Sequence, residues 1–341
     1  MKAGLVGYTQ GGKTTLFNAL TGLHRGPATR LNLGAIKVPD ARVERLSAIF
    51  KPRKTTHAEV QFVDLPGPRS KGSGLDADSL TALREVDALC LVVRAFPGAD
   101  GASDPRRELV DFDSELVLAD LAVVEKRLDR LRKERGSASE SNELDRLASH
   151  LGDGRPLRSM LLSEAEEGAL AHFGFLSRRP LLVAVNVAES EAASPPLPAV
   201  VEEARARGAE AIALTAEVEA EIAQLAPEQQ GEFLASIGLA ESASARFIHA
   251  AYRLLERISF FTVGEDEVKA WTIRRGDKAP RAAARIHSEL ERGFIRAEVV
   301  HYDDFIAAGN EARAREVGKL RLEGKEYVVQ DGDIINFRFA V

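Results

Sequence analysis

Three short stretches of this chain carry residue types at spacings suited to holding phosphate, a divalent cation and a heterocyclic base. The first is Gly7-Tyr8-Thr9-Gln10-Gly11-Gly12-Lys13-Thr14-Thr15. A polyphosphate is bound by inward-pointing backbone N–H groups and by the positive end of a helix, so the chain must turn tightly and approach closely, which Gly7 and Gly12 permit. In that arrangement Gly7, Gln10, Gly11, Gly12 and Thr15 contribute loop backbone, Lys13 bridges the outer phosphates and the Thr14 hydroxyl ligates Mg²⁺.

The second stretch is Asp64-Leu65-Pro66-Gly67, at the end of the apolar run Ala58–Val63. An Asp closing a buried strand suits a magnesium-linked carboxylate, and Gly67 offers a backbone N–H to the terminal phosphate. With Lys13 and Thr14, Asp64 and Gly67 form the expected catalytic set. Thr29, in the Gly-, Pro- and Arg-rich segment His24–Leu33, is a further candidate magnesium contact beside Thr14 and Asp64. The third stretch is Asn186-Val187-Ala188-Glu189, where an apolar strand emits Asn186 at its end; Thr215-Ala216-Glu217, after a second strand, is the expected base-contacting loop. Guanine presents two adjacent donors that an Asp at the position of Glu189 would accept. A Glu is one methylene longer, which points to relaxed or adenine-leaning specificity.

These groups need strands to deliver them to one edge. Gly4–Val6, Gly34–Val38, Ala58–Val63, Ala88–Val93, Leu181–Val185 and Ala211–Leu214 read as strands, with helical patterns after the glycine loop and between them. Alternating strands and helices predict an α/β fold with a mostly parallel sheet and ligand at the strand C-termini. From Asp113 the pattern changes to Leu121, Val124, Leu128, Leu131 and then Leu144, Leu147, Leu151, the spacing of a helical coiled-coil hairpin inserted into that domain. From Ile258 onward, strands at 260–263, 268–273, 297–300, 327–329 and 334–339 with a helix near Ala279–Leu290 predict a small mixed sheet. The expected domains are 1–112 with 178–257, the hairpin 113–177, and 258–341.

With 341 residues, 45% apolar, 29% charged and a net charge of −6, the chain is an ordinary globular protein without the global positive charge of a nucleic-acid binder. No DNA sequence recognition is expected. Lys269–Arg296 nonetheless holds eight basic and three acidic residues, a local excess able to meet RNA phosphate. Cys90 is the sole cysteine, on an apolar run, and reads as a core residue. No run reaches membrane-spanning length and no secretory leader is visible, so a cytoplasmic monomer is expected.

The order of these motifs, together with the tail Ala270-Trp271-Thr272-Ile273, Lys278-Ala279-Pro280, Glu291-Arg292-Gly293-Phe294-Ile295-Arg296-Ala297-Glu298 and Gly318–Asp333, closely resembles the YchF / Obg-like ATPase family across essentially the whole chain. The resemblance implies a Ras-like P-loop domain interrupted by the hairpin, and a C-terminal β-grasp domain of TGS (ubiquitin-like) type. It also implies slow hydrolysis of ATP in preference to GTP, with Mg²⁺, and association with ribosomes or RNA. Three features depart from the family pattern. Thr9, Gln10 and Gly11 replace its Pro, Asn and Val, removing the Asn that potassium-assisted chemistry would use. Pro68 stands where other GTPases keep a catalytic Gln and the family itself has an apolar residue, so no water-positioning amide is available. The segment Arg94–Pro105 is short and holds no His, where the family carries one proposed to act in catalysis. The binding parts are retained and the hydrolytic ones thinned, so the alternative expectation is a nucleotide-gated ribosome- or RNA-binding factor with negligible turnover.

Overall fold

The computed structural model describes residues 2–23, 32–65, 75–98, 101–134, 137–195 and 197–340. The chain opens with β1 (Lys2–Gly7), α1 (Lys13–Thr21), β2 (Asn32–Lys37), α2 (Ala41–Phe50), β3 (Lys54–Thr56) and β4 (Glu59–Asp64). It continues through α3 (Ala77–Arg84), β5 (Ala88–Arg94), α4 (Pro105–Glu134), α5 (Ala138–Gly152) and α6 (Glu164–Leu170). Then follow β6 (Leu181–Asn186), α7 (Pro198–Ala206), β7 (Glu210–Leu214), α8 (Ala216–Ile222), α9 (Pro227–Ser236) and α10 (Ala243–Leu254). The last part holds β8 (Arg257–Thr262), β9 (Glu267–Arg274), α11 (Ala279–Ile286), α12 (Ser288–Arg292), β10 (Phe294–His301), α13 (Tyr302–Ala308), α14 (Glu311–Glu316), β11 (Arg321–Glu323) and β12 (Asp333–Phe339).

Two compact units result: Met1–Ile36 with Gln61–Phe247, and Lys37–Val60 with Ile248–Val341. In the first, a six-stranded sheet has the order β2-β4-β1-β5-β6-β7, and every neighbouring pair from β4 to β7 is parallel. Its middle strand β5 (Ala-Leu-Cys-Leu-Val-Val-Arg) is buried at all seven positions, as a strand covered on both faces must be. Burial pushes the Cys90 thiol up to about 12, which makes it an inert core group. Val6, Leu91, Val93, Val183 and Val185 from the sheet pack with Leu109, Phe112 and Leu116 of α4. Each fully buried side chain of that size contributes about 1.5–3 kcal/mol.

Helix α4 is longer than the hairpin periodicity announces, because its first turns face the sheet and only the later ones face α5. Beyond Val117 the buried row becomes Val124, Leu128 and Leu131, meeting Leu144, Leu147 and Leu151. Asp113, fully buried, pairs with Arg158 and lies 3.2 Å from Arg207 Nη1. Asp120 accepts from the N–H groups of Leu176 and Ser177 at 2.9 and 2.7 Å. The hairpin root is thus fastened by carboxylates that burial would penalise without partners.

The second unit has a mixed sheet of order β11-β10-β12-β8-β9-β3. Residues 37–60, expected with the nucleotide-binding strands, belong to this unit. Strand β3 pairs in parallel with β9 (Lys54↔Glu267, Thr55↔Val268, Thr56↔Lys269). Helix α2 is held there by Arg42, whose guanidinium lies 2.9 Å from Asp331 and 5.0 Å over the Phe261 ring. The expected strand at 327–329 is instead an isolated bridge, Lys278↔Val328. The partner segment is too short for more: Val329 N–H donates to the Asp277 carbonyl and Ala279 N–H to the Tyr327 carbonyl, and helix α11 begins at Ala279.

Candidate functional site

The parallel sheet delivers β1, β4, β5 and β6 to one edge. Strand β1 ends at Gly7, where a side chain would press to 2.5 Å from the Val92 carbonyl oxygen. The loop turns through Gln10 and Gly12, both left-handed with φ of 65° and 85°. At Gly12 a β-carbon would overlap the Asn186 amide, so both backbone conformation and space demand glycine there. Gln10 adopts a conformation that costs a non-glycine residue roughly 1–2 kcal/mol, strain placed within the loop itself. Helix α1 begins at Lys13 without a side-chain cap, and its first N–H groups remain for an anion.

Lys13 Nζ stands 2.7 Å from Asp64 Oδ1 and also donates to the Leu65 carbonyl. Asp64 is completely buried at the end of β4, and its Oδ2 has no hydrogen-bond partner among the described residues. The Lys13 ammonium balances the buried charge, and the oxygen left over can take a second cation. With the Thr14 hydroxyl at the first turn of α1 that oxygen forms a hard donor set of the kind magnesium prefers, to be completed by phosphate and water. Among the described residues no group of three or more His, Cys, Asp or Glu side chains makes a metal site by itself. Thr29 and Gly67, the other two expected contacts, lie outside the described residues.

Asn186 is a brace. Its Nδ2 donates to the Gly11 carbonyl at 3.0 Å and its Oδ1 accepts from Ala216 N–H at 2.9 Å, joining β6, the glycine loop and the start of α8. Beside it a cavity of about 550 Å³ is lined by Gln10, Gly12, Thr15, Asn186, Glu189, Thr215 and Ala216, within the size range of small-ligand sites. Thr215 Oγ1 is buried there without a hydrogen-bond partner among the described residues. Phe96, Pro97 and Glu217 also line the cavity. Phe96 and Pro97 are absent from the sequence-derived binding set. They directly follow a strand that ends at the ligand edge, and that signal was available.

A glycine loop between strand and helix, with Lys-Thr at the helix start and a buried Asp on the adjacent strand, defines the class of P-loop nucleotide-binding proteins. The family of 50S ribosome-binding GTPases (MMR_HSR1) matches residues 2–126. YchF-GTPase_C, described as a protein of unknown function, matches 257–340. The Bacillus subtilis ribosome-binding ATPase YchF is 40% identical over 100% of both chains. That of Escherichia coli O157:H7 is 38% identical over 100% of this chain and 99% of its own. The solved structure of the Schizosaccharomyces pombe YchF GTPase matches with a TM-score of 0.89 at 30% identity, covering 99% of this chain and 97% of that one. The chain belongs to the YchF family.

Proposed function

We propose that this protein binds and slowly hydrolyses a purine nucleoside triphosphate with Mg²⁺, ATP before GTP, and couples nucleotide state to ribosome or RNA association as a cytoplasmic monomer. The observation that carries this reading is the Gly7–Gly12 cradle at the N-terminus of α1, with Lys13 paired to the buried Asp64. Thr14 and Asp64, with Thr29, would hold Mg²⁺, which when bound supplies charge neutralisation at the phosphates. Lys13 and the loop N–H groups orient the phosphate chain, so that fixed dipoles rather than a general base account for most of the rate. Gly67 N–H is assigned to the terminal phosphate. Asn186, Thr215, Ala216 and the exposed Glu189 surround the base, and the long carboxylate at 189 supports adenine over guanine. Ribosome association is supported by the relatives, which are named ribosome-binding ATPases.

The hairpin and a TGS-type β-grasp module after Ile258 belong to the same proposal, the latter as a contributor to ribosome or RNA binding. A second reading, a nucleotide-gated binding factor with negligible turnover, is favoured by the lack of His in Arg94–Pro105 and by Pro68. Single-turnover assays with ATP and GTP decide between them. Lys13-dependent phosphate release, abolished in Lys13→Ala, is expected; nucleotide binding without such release overturns the enzyme reading.

A further inference from the structure

The base end of the cavity is held from behind by a carboxylate that the phosphate-binding motif does not include. Strand β5 ends at Arg94, and the chain passes through Ala95 into Phe96 and Pro97, which line the cavity. Two hydrogen bonds set the course of that passage. Ala95 N–H donates to the Asn186 carbonyl at 2.8 Å, continuing the parallel register in which Arg94 lies beside Asn186. Arg94 N–H donates to Glu108 Oε2 at 3.0 Å, and Glu108, 4% exposed, comes from the first turn of α4.

A neutral acceptor would satisfy the Arg94 N–H at lower desolvation cost, so a buried carboxylate here needs compensation. The N-terminal turn of a long helix provides some of it. The same helix makes further contacts in this unit. Glu115 accepts from Leu75 N–H at 3.4 Å, and the phenol of Tyr8, next to Gly7, is pushed well above its ordinary value by burial and then by Asp111, Glu108 and Glu115. Tyr8 is buried in one cluster with Leu109 and Phe112, so helix α4 packs at the start of the glycine loop as well as holding the strand end that forms the base wall.

We propose that Glu108 is a positioning residue for the base: its carboxylate anchors the end of β5, so that Phe96 and Pro97 form the wall against which a purine packs. The assignment rests on the reading that the cavity takes a purine nucleotide. It separates base from phosphate, because the hydrogen bond that Glu108 makes lies at the end of β5 and not within the Gly7–Lys13 loop. A residue needed only for folding would weaken both together.

The test measures affinities of the full chain for magnesium ATP and for magnesium tripolyphosphate by calorimetry. Glu108→Ala leaves a buried N–H without an acceptor, and Glu108→Asp withdraws the carboxylate by one methylene while keeping its charge. Each is expected to weaken ATP about tenfold and tripolyphosphate less than about twofold. Glu108→Gln, whose amide oxygen can still accept, is expected to restore ATP binding to within about threefold of the parent. Where the Ala variant does not fold, the Asp variant decides. ATP affinity unchanged in Glu108→Asp, or ATP and tripolyphosphate weakened in parallel, overturns the assignment alone. Uptake of neither probe by the unsubstituted chain removes the nucleotide reading and this assignment with it.

Discussion

The two sheets have equal strand numbers and use them differently. In the parallel sheet the C-termini of β1, β4, β5 and β6 lie at one edge, so Gly7, Asp64, Arg94 and Asn186 converge there without any of them being adjacent in sequence. In the mixed sheet neighbouring strands mostly reverse, and no edge collects like ends. Its polar side chains are instead spread as pairs, such as Arg338 with Glu298 at 2.9 Å, Lys54 with Glu267 at 3.3 Å and Arg321 with Glu323 at 3.7 Å. Parallel topology concentrates chemistry at a point, whereas the mixed sheet distributes charge over a surface. The first arrangement suits a small ligand, and under the proposal made above the second contributes a surface for ribosome or RNA.

The sharpest way to break that contrast is at Gly12. In Gly12→Ala a left-handed backbone acquires a β-carbon that overlaps the Asn186 amide. Strain and a displaced brace together cost about 3–4 kcal/mol, so nucleotide affinity is expected to fall more than about a hundredfold in a titration. A loss below about threefold would show that the cradle tolerates what its geometry forbids. Next in size is Asn186→Ala, which strands the buried Ala216 N–H and the Gly11 carbonyl. About 2–3 kcal/mol is expected, seen as a roughly thirty- to hundredfold weaker affinity, with the single-turnover rate of bound nucleotide changed much less. Equal losses in both would move Asn186 from binding into the chemical step.

The mixed sheet should respond more mildly. Arg338→Ala removes a half-exposed ion pair, and a loss of about 0.5 kcal/mol or less in chemical denaturation is expected, with nucleotide affinity unchanged. A drop in affinity would contradict the division of labour drawn above. The smallest effect is a pH dependence in the hairpin. Ser163 and Arg146 hold the Glu166 carboxyl at about 2, below its ordinary 4.5. A depressed value means the contribution is fully present above about 4.5 and is lost as pH falls toward 2. Acid unfolding followed by circular dichroism should therefore show a slightly gentler acid limb in Glu166→Gln, and identical limbs would remove Glu166 from the account.

The phosphate cradle was legible from residues alone because it is local: strand, loop and helix are contiguous, and glycine, lysine and threonine each have a chemical reason to stand where they do. The hairpin core was legible for the same reason, since Leu128, Leu131, Leu144 and Leu147 follow the period of a helix and meet between α4 and α5. Periodicity also set the limits of that reading. It registers the face of α4 that meets α5, but not the earlier turns that meet a sheet, so the start of the helix at Pro105 and the burial of Glu108 went unseen.

The sequence by itself determined that a triphosphate-binding loop opens the chain, that strands and helices alternate behind it and that a separate mixed module closes it. Only the tertiary structure decided that residues 54–56 complete the mixed sheet, that Asn186 clamps Gly11 to Ala216, and that Phe96 and Pro97 wall the cavity. The physical reason is separation along the chain. A short polar strand such as Lys54-Thr55-Thr56 has no pattern of its own, and it becomes a strand because the edge of β9 offers it backbone partners.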